Sequence, residues 1–332
     1  MANQTTNGKA FEYACLTALR EDLVIHRPLM VVEDKPFFNA QRDFFNLSEK
    51  QKDDMLLAAR AARKLLYKFE PRLLWGISPS RLLDEDVTLQ IQSDKAGQNG
   101  DVRDVICAVE GTGWSIGLSC KNNHDAAKHP RLSQTIDFGM NWFNHPCSED
   151  YFNAISPIFA ELKEIQSDSH KQTLWSSLEH KAERFYIPIL KAFSDELRRL
   201  AATRADTPLM LIRYLLGSRD FYKVMKQDKT RSTIIRPVNL GGTLAQKSGR
   251  NSSRVHIGVP PLPSRIYDIS FKNEDANSAE VNTILVTLDE GWQVSLRIHN
   301  ASSRVEPSLK FDVKLVSQPA DIYSYAELWE DE

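Results

Sequence analysis

No stretch of this chain approaches the roughly 18 consecutive apolar residues that a membrane span requires, and the polar start MANQTTNGKA lacks the pattern of a secretory leader. The chain is therefore expected to stay in the compartment where it is made, the cytoplasm. Cysteine is scarce, with only Cys15, Cys107, Cys120 and Cys147 in 332 residues. They form no C-x-x-C pair and no zinc-type Cys/His spacing, which argues against a disulfide framework or a structural zinc and for reduced thiols. Repeats and low-complexity tracts are absent as well, so solenoids and collagen-like folds drop out. Net charge is also small, only -2, so the molecule as a whole carries no polycationic signature of nucleic-acid binding.

What is present is ordinary in bulk and uneven in placement. Hydrophobic residues make up 42% and charged residues 26%, the profile of a soluble globular protein long enough for one large domain or two ordinary ones. Between Arg219 and Arg250 eight basic residues face two acidic ones, Asp220 and Asp228; that stretch carries +6 and the remainder -8. A basic face on an otherwise acidic chain suits local contact with phosphates, although a solvated charged surface has the same appearance. Residues 8 to 25 read as an amphipathic helix with Phe11, Cys15, Ala18 and Leu19 at helical spacing, stopped by Pro28. Residues 48 to 69 read as a second helix, stopped by Pro71, and 151 to 204 as further charged helix.

From Val87 the texture becomes strand-like. VTLQIQ, VRDVICAV and WSIGLSCK are short runs rich in β-branched residues, with EGTG (Glu110 to Gly113) as a hairpin connection. A second series of strand-like runs follows residue 232, with LAQKSGRNSSR among them as a loop expected to be mobile. The expected fold class is α/β (α+β), a small mixed sheet flanked by helices over 1–231 followed by a β-rich region over 232–332.

The segment GDVRDVICAVEGTGWSIGLSCKNNH carries the chemistry. Side chains alternate along a strand, so Ser119 and Lys121 share a face, and a hairpin brings Asp104 beside both. A carboxylate next to a lysine at a strand mouth is what metal-assisted phosphodiester hydrolysis uses. The carboxylate holds Mg2+, and the lysine orients water or pairs with the phosphate. A serine at 119 is a weak metal ligand, so a second acid has to come from elsewhere. Asp101 and Glu12 are the candidates; Glu110 ends the first strand and lies too far along it.

This arrangement resembles the PD-(D/E)xK nuclease superfamily, with the departure that Ser119-Cys120-Lys121 stands where D/E-x-K is usual. GKAFEYACLTAL, GDVRDVICAV, GLSCKNNHDAAKHPRLSQTIDFG and SLRIHNASSRVEPSLKFDVKL are together similar to the HaeIII type of type II restriction endonuclease, in this order over most of the chain. The resemblance implies a restriction-endonuclease-like core in a prokaryotic cell. It also implies Mg2+-dependent cleavage of duplex DNA at GGCC with blunt ends, and a cognate methyltransferase in the same system. A homodimer, or a monomer nicking each strand in turn, would both serve a palindrome. Candidate catalytic residues are Asp104, Lys121, Asp101, Glu12 and Ser119, with Asp104, Glu12 and Asp101 as metal ligands. Asn122, Asn123, His124, Lys128, His129 and Arg131 are expected to contact DNA, and Arg236, Arg297, His299 and Asn300 to read or flank the bases. A structure-specific repair or resolution nuclease and a catalytically inactive DNA-binding module are the alternatives.

Overall fold

The computed structural model describes all residues except Met1, 78–79, 81–84, 94–99, 124–127, 169–172, 273–280 and 331–332. The fold is mixed α/β, with two sheets and eight α-helices among the described residues. The chain resolves into two compact units that interleave in sequence: 1–125, 217–260 and 320–332 form the first, and 126–216 with 261–319 the second.

Unit 1 is built on a seven-stranded sheet in the order β1 (Leu29–Val31), β2 (Val87–Ile91), β3 (Val105–Val109), β4 (Ser115–Asn122), β6 (Phe221–Gln227), β7 (Ser232–Val238) and β12 (Tyr325–Leu328). Two pairings are parallel, β1 with β2 and β4 with β6; the others are antiparallel. The β3–β4 hairpin turns through Gly111 and Gly113, both at positive φ (73° and 71°), where a side chain would be strained.

Helix α1 (Ala2–His26) packs on one face of this sheet. Its contact stripe is Ala10, Phe11, Ala14, Cys15 and Ala18, none more than 2% exposed, and the alanines let the helix axis come close to the strands. Helix α2 (Lys35–Phe45) starts on Asp34, whose carboxylate accepts the Phe37 N–H. Helix α3 (Glu49–Phe69) starts on a reciprocal Ser48–Gln51 capping box and lays Met55, Ala58, Ala62, Leu65 and Phe69 into the same core. Pro71 then opens the short α4 (Pro71–Trp75).

Two of the segments singled out in the sequence lie in this unit. The 231/232 boundary falls in the turn between β6 and β7, which pair from Phe221↔Val238 to Gln227↔Ser232, so the onset of strand-like sequence marks a hairpin within one sheet. The Gly/Ser-rich loop expected to be mobile is tied to α3 and α4. The Ala245 N–H donates to Glu70, Ser248 Oγ to the Trp75 carbonyl and the Arg254 N–H to the Lys68 carbonyl.

Unit 2 holds a five-stranded antiparallel sheet in the order β5 (Arg131–Ser133), β11 (Ser308–Ser317), β10 (Gln293–Asn300), β9 (Thr283–Leu288) and β8 (Ile266–Phe271). Leu296, Ile298, Leu309, Phe311 and Val313 are fully buried on one face. Phe311 packs 5.0 Å from Phe193 of α7 (Ile187–Thr203) and 6.4 Å from Trp142 of α5 (Phe138–Phe143). Helices α6 (Glu149–Asp168) and α8 (Thr207–Leu216) complete this unit. Asp137 caps α5 and also accepts from the Cys147 N–H, which gives it a structural role.

Candidate active site and nucleic-acid face

Asp104 stands one residue before β3, where the β3–β4 ladder stops being regular. Its N–H donates to the Leu118 carbonyl at 2.7 Å, and its Oδ2 accepts the Cys120 N–H at 2.7 Å. The side chain thus supplies the last rung that a backbone carbonyl would otherwise make, which fixes the carboxylate at the strand mouth. Lys121 Nζ lies 3.4 Å from the same oxygen, and both side chains keep about a fifth of their surface open to solvent.

Glu12 reaches this place from α1. The same helix packs through Cys15 against Cys120, whose thiol is pushed well above its ordinary value by the bond to Cys15 and by burial. Glu12 is 5% exposed, with Lys9 Nζ 3.1 Å from its Oε2. Burial first, and the Asp104 charge second, push its carboxyl up to about 8, against the pull of Lys9 and Lys121. A buried acid whose ionisation a neighbouring carboxylate makes costlier, beside a lysine, belongs to a donor set that a hard divalent cation would relieve. With Mg2+ keeping most of its ligands as water and phosphate oxygens, two protein carboxylates fit such an ion. No cluster of three or more acidic, His or Cys groups suited to a metal occurs among the described residues.

The other acid candidate is engaged differently. Asp101 takes a fork of bonds from Arg103 (Nε–Oδ1 2.8 Å, Nη2–Oδ2 2.6 Å). Burial would raise its pKa, but the Arg103 bonds outweigh burial and hold it below the usual carboxylate range. Ser119 is buried and faces the same side of the sheet as Lys121. Asn122 ends β4. Asn123, at φ 60°, joins strand ends instead: its Oδ1 accepts the Asp228 N–H at 2.9 Å and its N–H donates to the Lys226 carbonyl. Asparagine tolerates that left-handed backbone better than most residues. Arg236 on β7 donates from Nε to Ser324 Oγ at 3.1 Å. His124 lies outside the described residues.

The remaining candidates sit in unit 2, and strand alternation sorts them. Arg297 and His299 of β10 stand opposite Asp312 and Lys310 of β11, and Lys310 stands opposite Arg131 of β5. These side chains share the polar face of the five-stranded sheet, with Lys314 opposite Ser295 one step along. Arg297 Nη2 and His129 Nδ1 flank the Asp312 carboxylate at 3.2 and 3.7 Å, and Arg131 pairs with Glu306 at 3.2 Å. Burial, and then Lys310 and Arg297, lower the His299 pKa, so its ring is uncharged at neutral pH. Two candidates fall away from this face. Lys128 bridges to Val313 on the apolar side, with its ammonium 3.7 Å from the Tyr214 ring and 3.1 Å from the Tyr214 carbonyl. Asn300 donates to the Ser302 carbonyl in a local turn. Lys310 and Lys314 escaped the sequence reading, although the alternation in SLKFDVKL puts both opposite the buried Leu309, Phe311 and Val313.

The family model described as HaeIII restriction endonuclease matches residues 8–319. The protein named Type II restriction enzyme HaeIII of Haemophilus aegyptius is 37% identical over 333 aligned positions, covering all of both chains. No solved structure matches the chain.

Proposed function

The chain belongs to the HaeIII restriction endonuclease family, and from that premise we propose that it is a type II enzyme that hydrolyses double-stranded DNA at GGCC to leave blunt ends, with Mg2+ as cofactor. The observation that carries this reading is the convergence of Asp104, Lys121 and Glu12 at one strand mouth. Asp104 and Glu12 would hold the divalent cation, which when bound supplies charge stabilisation at the phosphate oxygens. Asp104 is positioned before substrate arrives, because the Cys120 amide fixes it. Lys121 holds its ammonium beside that carboxylate, where it orients the attacking water and balances the phosphate charge. Arg131, Arg297, His299, Lys310 and Lys314 form the DNA-contacting face of unit 2; the arginines suit guanine edges, and the lysines suit phosphates.

Incubating the protein with Mg2+ and a plasmid of known sequence tests the reading. Discrete fragments ending at GGCC are expected. A smear, cutting confined to branched DNA, or no product at any Mg2+ or Mn2+ concentration would overturn it in favour of a structure-specific nuclease or an inactive binding module. Asp104→Ala and Lys121→Ala are expected to bind the site and to cut it at least roughly 10^2-fold more slowly, and cutting at the wild-type rate by either would remove the assignment of that residue.

A further inference from the structure

The basic face of the five-stranded sheet holds an acid at its centre. Across the paired positions of β5, β11 and β10 on this face, Asp312 is the only acidic side chain among the described residues. Lys310 and Lys314 flank it along β11, and Arg297 stands directly opposite on β10. A carboxylate there opposes the approach of a polyanion and so weakens affinity for every duplex alike. It adds little to the fold in return, because the Arg297 side chain that it pairs with is 52% exposed and solvent screens such a pair.

The geometry of the pair is more telling than its energy. Asp312 is only 12% exposed, between Phe311 and Val313, both fully buried, so the carboxylate is a fixed point. One bond, from Nη2 to Oδ2 at 3.2 Å, ties the long Arg297 side chain to it. Nη1 and Nε make no bond among the described residues, so most of the guanidinium's donors stay available. His129 Nδ1 stands 3.7 Å from the other carboxylate oxygen. A guanidinium held in one orientation loses less rotamer freedom when it meets the O6 and N7 of guanine. One already bonded to a carboxylate is also drawn less strongly to a phosphate.

We propose that Asp312 is a positioning residue for base recognition: it holds Arg297 for a guanine edge and away from the backbone, exchanging general affinity for discrimination. The inference rests on the endonuclease reading and on the sheet face which that reading sets against DNA.

The test measures binding, with Ca2+ in place of Mg2+ to prevent turnover, to a GGCC duplex, to duplexes with one base pair of the site changed, and to a scrambled duplex. Asp312→Ala is expected to bind the scrambled duplex more tightly than the wild type and to lose roughly tenfold in preference for GGCC. That loss should fall at the base pair where Arg297→Ala loses preference, and combining the two substitutions should lose no more than Arg297→Ala alone. Asp312→Asn, close in shape and therefore the safer variant for folding, keeps an acceptor oxygen without the charge. It should also tighten on the scrambled duplex while retaining more preference than Asp312→Ala. Equal weakening on all duplexes with a lower melting temperature would mark Asp312 as structural and overturn the inference. Additive losses at a different base pair would overturn it too, since Asp312 would then read a base itself, as would a wild-type preference in Asp312→Ala. A wild type without preference for GGCC would instead overturn the functional reading, so the two failures are separable.

Discussion

A carboxylate that takes the place of a backbone carbonyl at the end of a ladder is held by a charge-assisted bond and needs little further ordering when substrate binds. Asp104 is in that position, with the Cys120 N–H at 2.7 Å and Lys121 Nζ at 3.4 Å on the same oxygen. Removing the ammonium should therefore leave Asp104 in place and slow the chemical step. Lys121→Ala is expected to lower the single-turnover cleavage rate by roughly 10^2- to 10^4-fold with less than a threefold change in binding, measured on a short GGCC duplex. A parallel loss of binding would show that Lys121 is a binding residue only. Glu70 illustrates the opposite situation, a buried acid outside the site. It is fully buried, accepts bonds from Tyr222 Oη (2.6 Å) and the Ala245 N–H (2.7 Å), and has no partner for Oε2 among the described residues. Burial outweighs both bonds and pushes its carboxyl from 4.5 up to about 7. The unfolded chain releases this proton first, so Glu70 makes stability fall as pH rises from 4.5 to about 7 and adds nothing to the slope above that. Glu70→Gln should flatten the pH dependence of urea unfolding between pH 5 and pH 8 by about 3 kcal/mol. Parallel curves for the two proteins would show that Glu70 is already ionised in the folded state.

Among the elements, α1 matters most to the site because one helix supplies both core packing and Glu12. Ala14 is fully buried in the stripe that meets the sheet. Ala14→Leu should lift α1 at a cost of about 1–3 kcal/mol and withdraw Glu12 from Asp104. Cleavage is then expected to fall at least tenfold while unit 2 still supports binding; an unchanged rate at reduced stability would detach Glu12 from the chemistry. Much at this scale was legible in the chain: the span of α3 over 48 to 69 with its stop at Pro71, the β3–β4 turn from EGTG, and the pairing of Asp104 with Lys121 from strand alternation. What escaped depends on long-range partners that local pattern does not encode. Asp101 is engaged by an arginine two residues away, whose fork could as well have pointed to solvent. The alignment of β5 with β11 joins Arg131 to Lys310 across a long stretch of sequence, and the register of β10 with β11 places Lys310 opposite His299 of SLRIHN. The 231/232 boundary was drawn where helical texture gives way to strand-like texture, and that position lies between β6 and β7, which are partners in one sheet.

At the scale of the whole molecule, a net charge of -2 leaves no general attraction to DNA, so affinity has to come from local cations. Of the basic residues that make 219–250 positive, two are spent inside unit 1: Lys226, 4% exposed, pairs with Asp228, and Arg231 pairs with Asp54 at 3.2 Å. Sequence charge alone therefore overstates that stretch as a phosphate-binding surface. The polar face of the five-stranded sheet is the better candidate, because Lys310 and Lys314 stand on it at alternate positions of β11 and Arg131 stands beside Lys310 on β5. Each phosphate contact that releases counterions contributes about 0.9 to the slope of log K against log salt. Replacing Lys310 and Lys314 together by alanine should reduce that slope by about two and weaken binding of all duplexes alike, with little change in preference for GGCC. Arg297→Ala should instead relax the preference among sites at nearly constant slope, since the Asp312 carboxylate beside it offsets its charge and leaves its fork to discriminate bases. Titrations from 50 to 200 mM salt against a GGCC duplex and a scrambled one separate the two effects. If the double lysine variant keeps the wild-type slope, the sheet face does not lie against the DNA backbone. The affinity would then have to reside in unit 1, which carries Lys121.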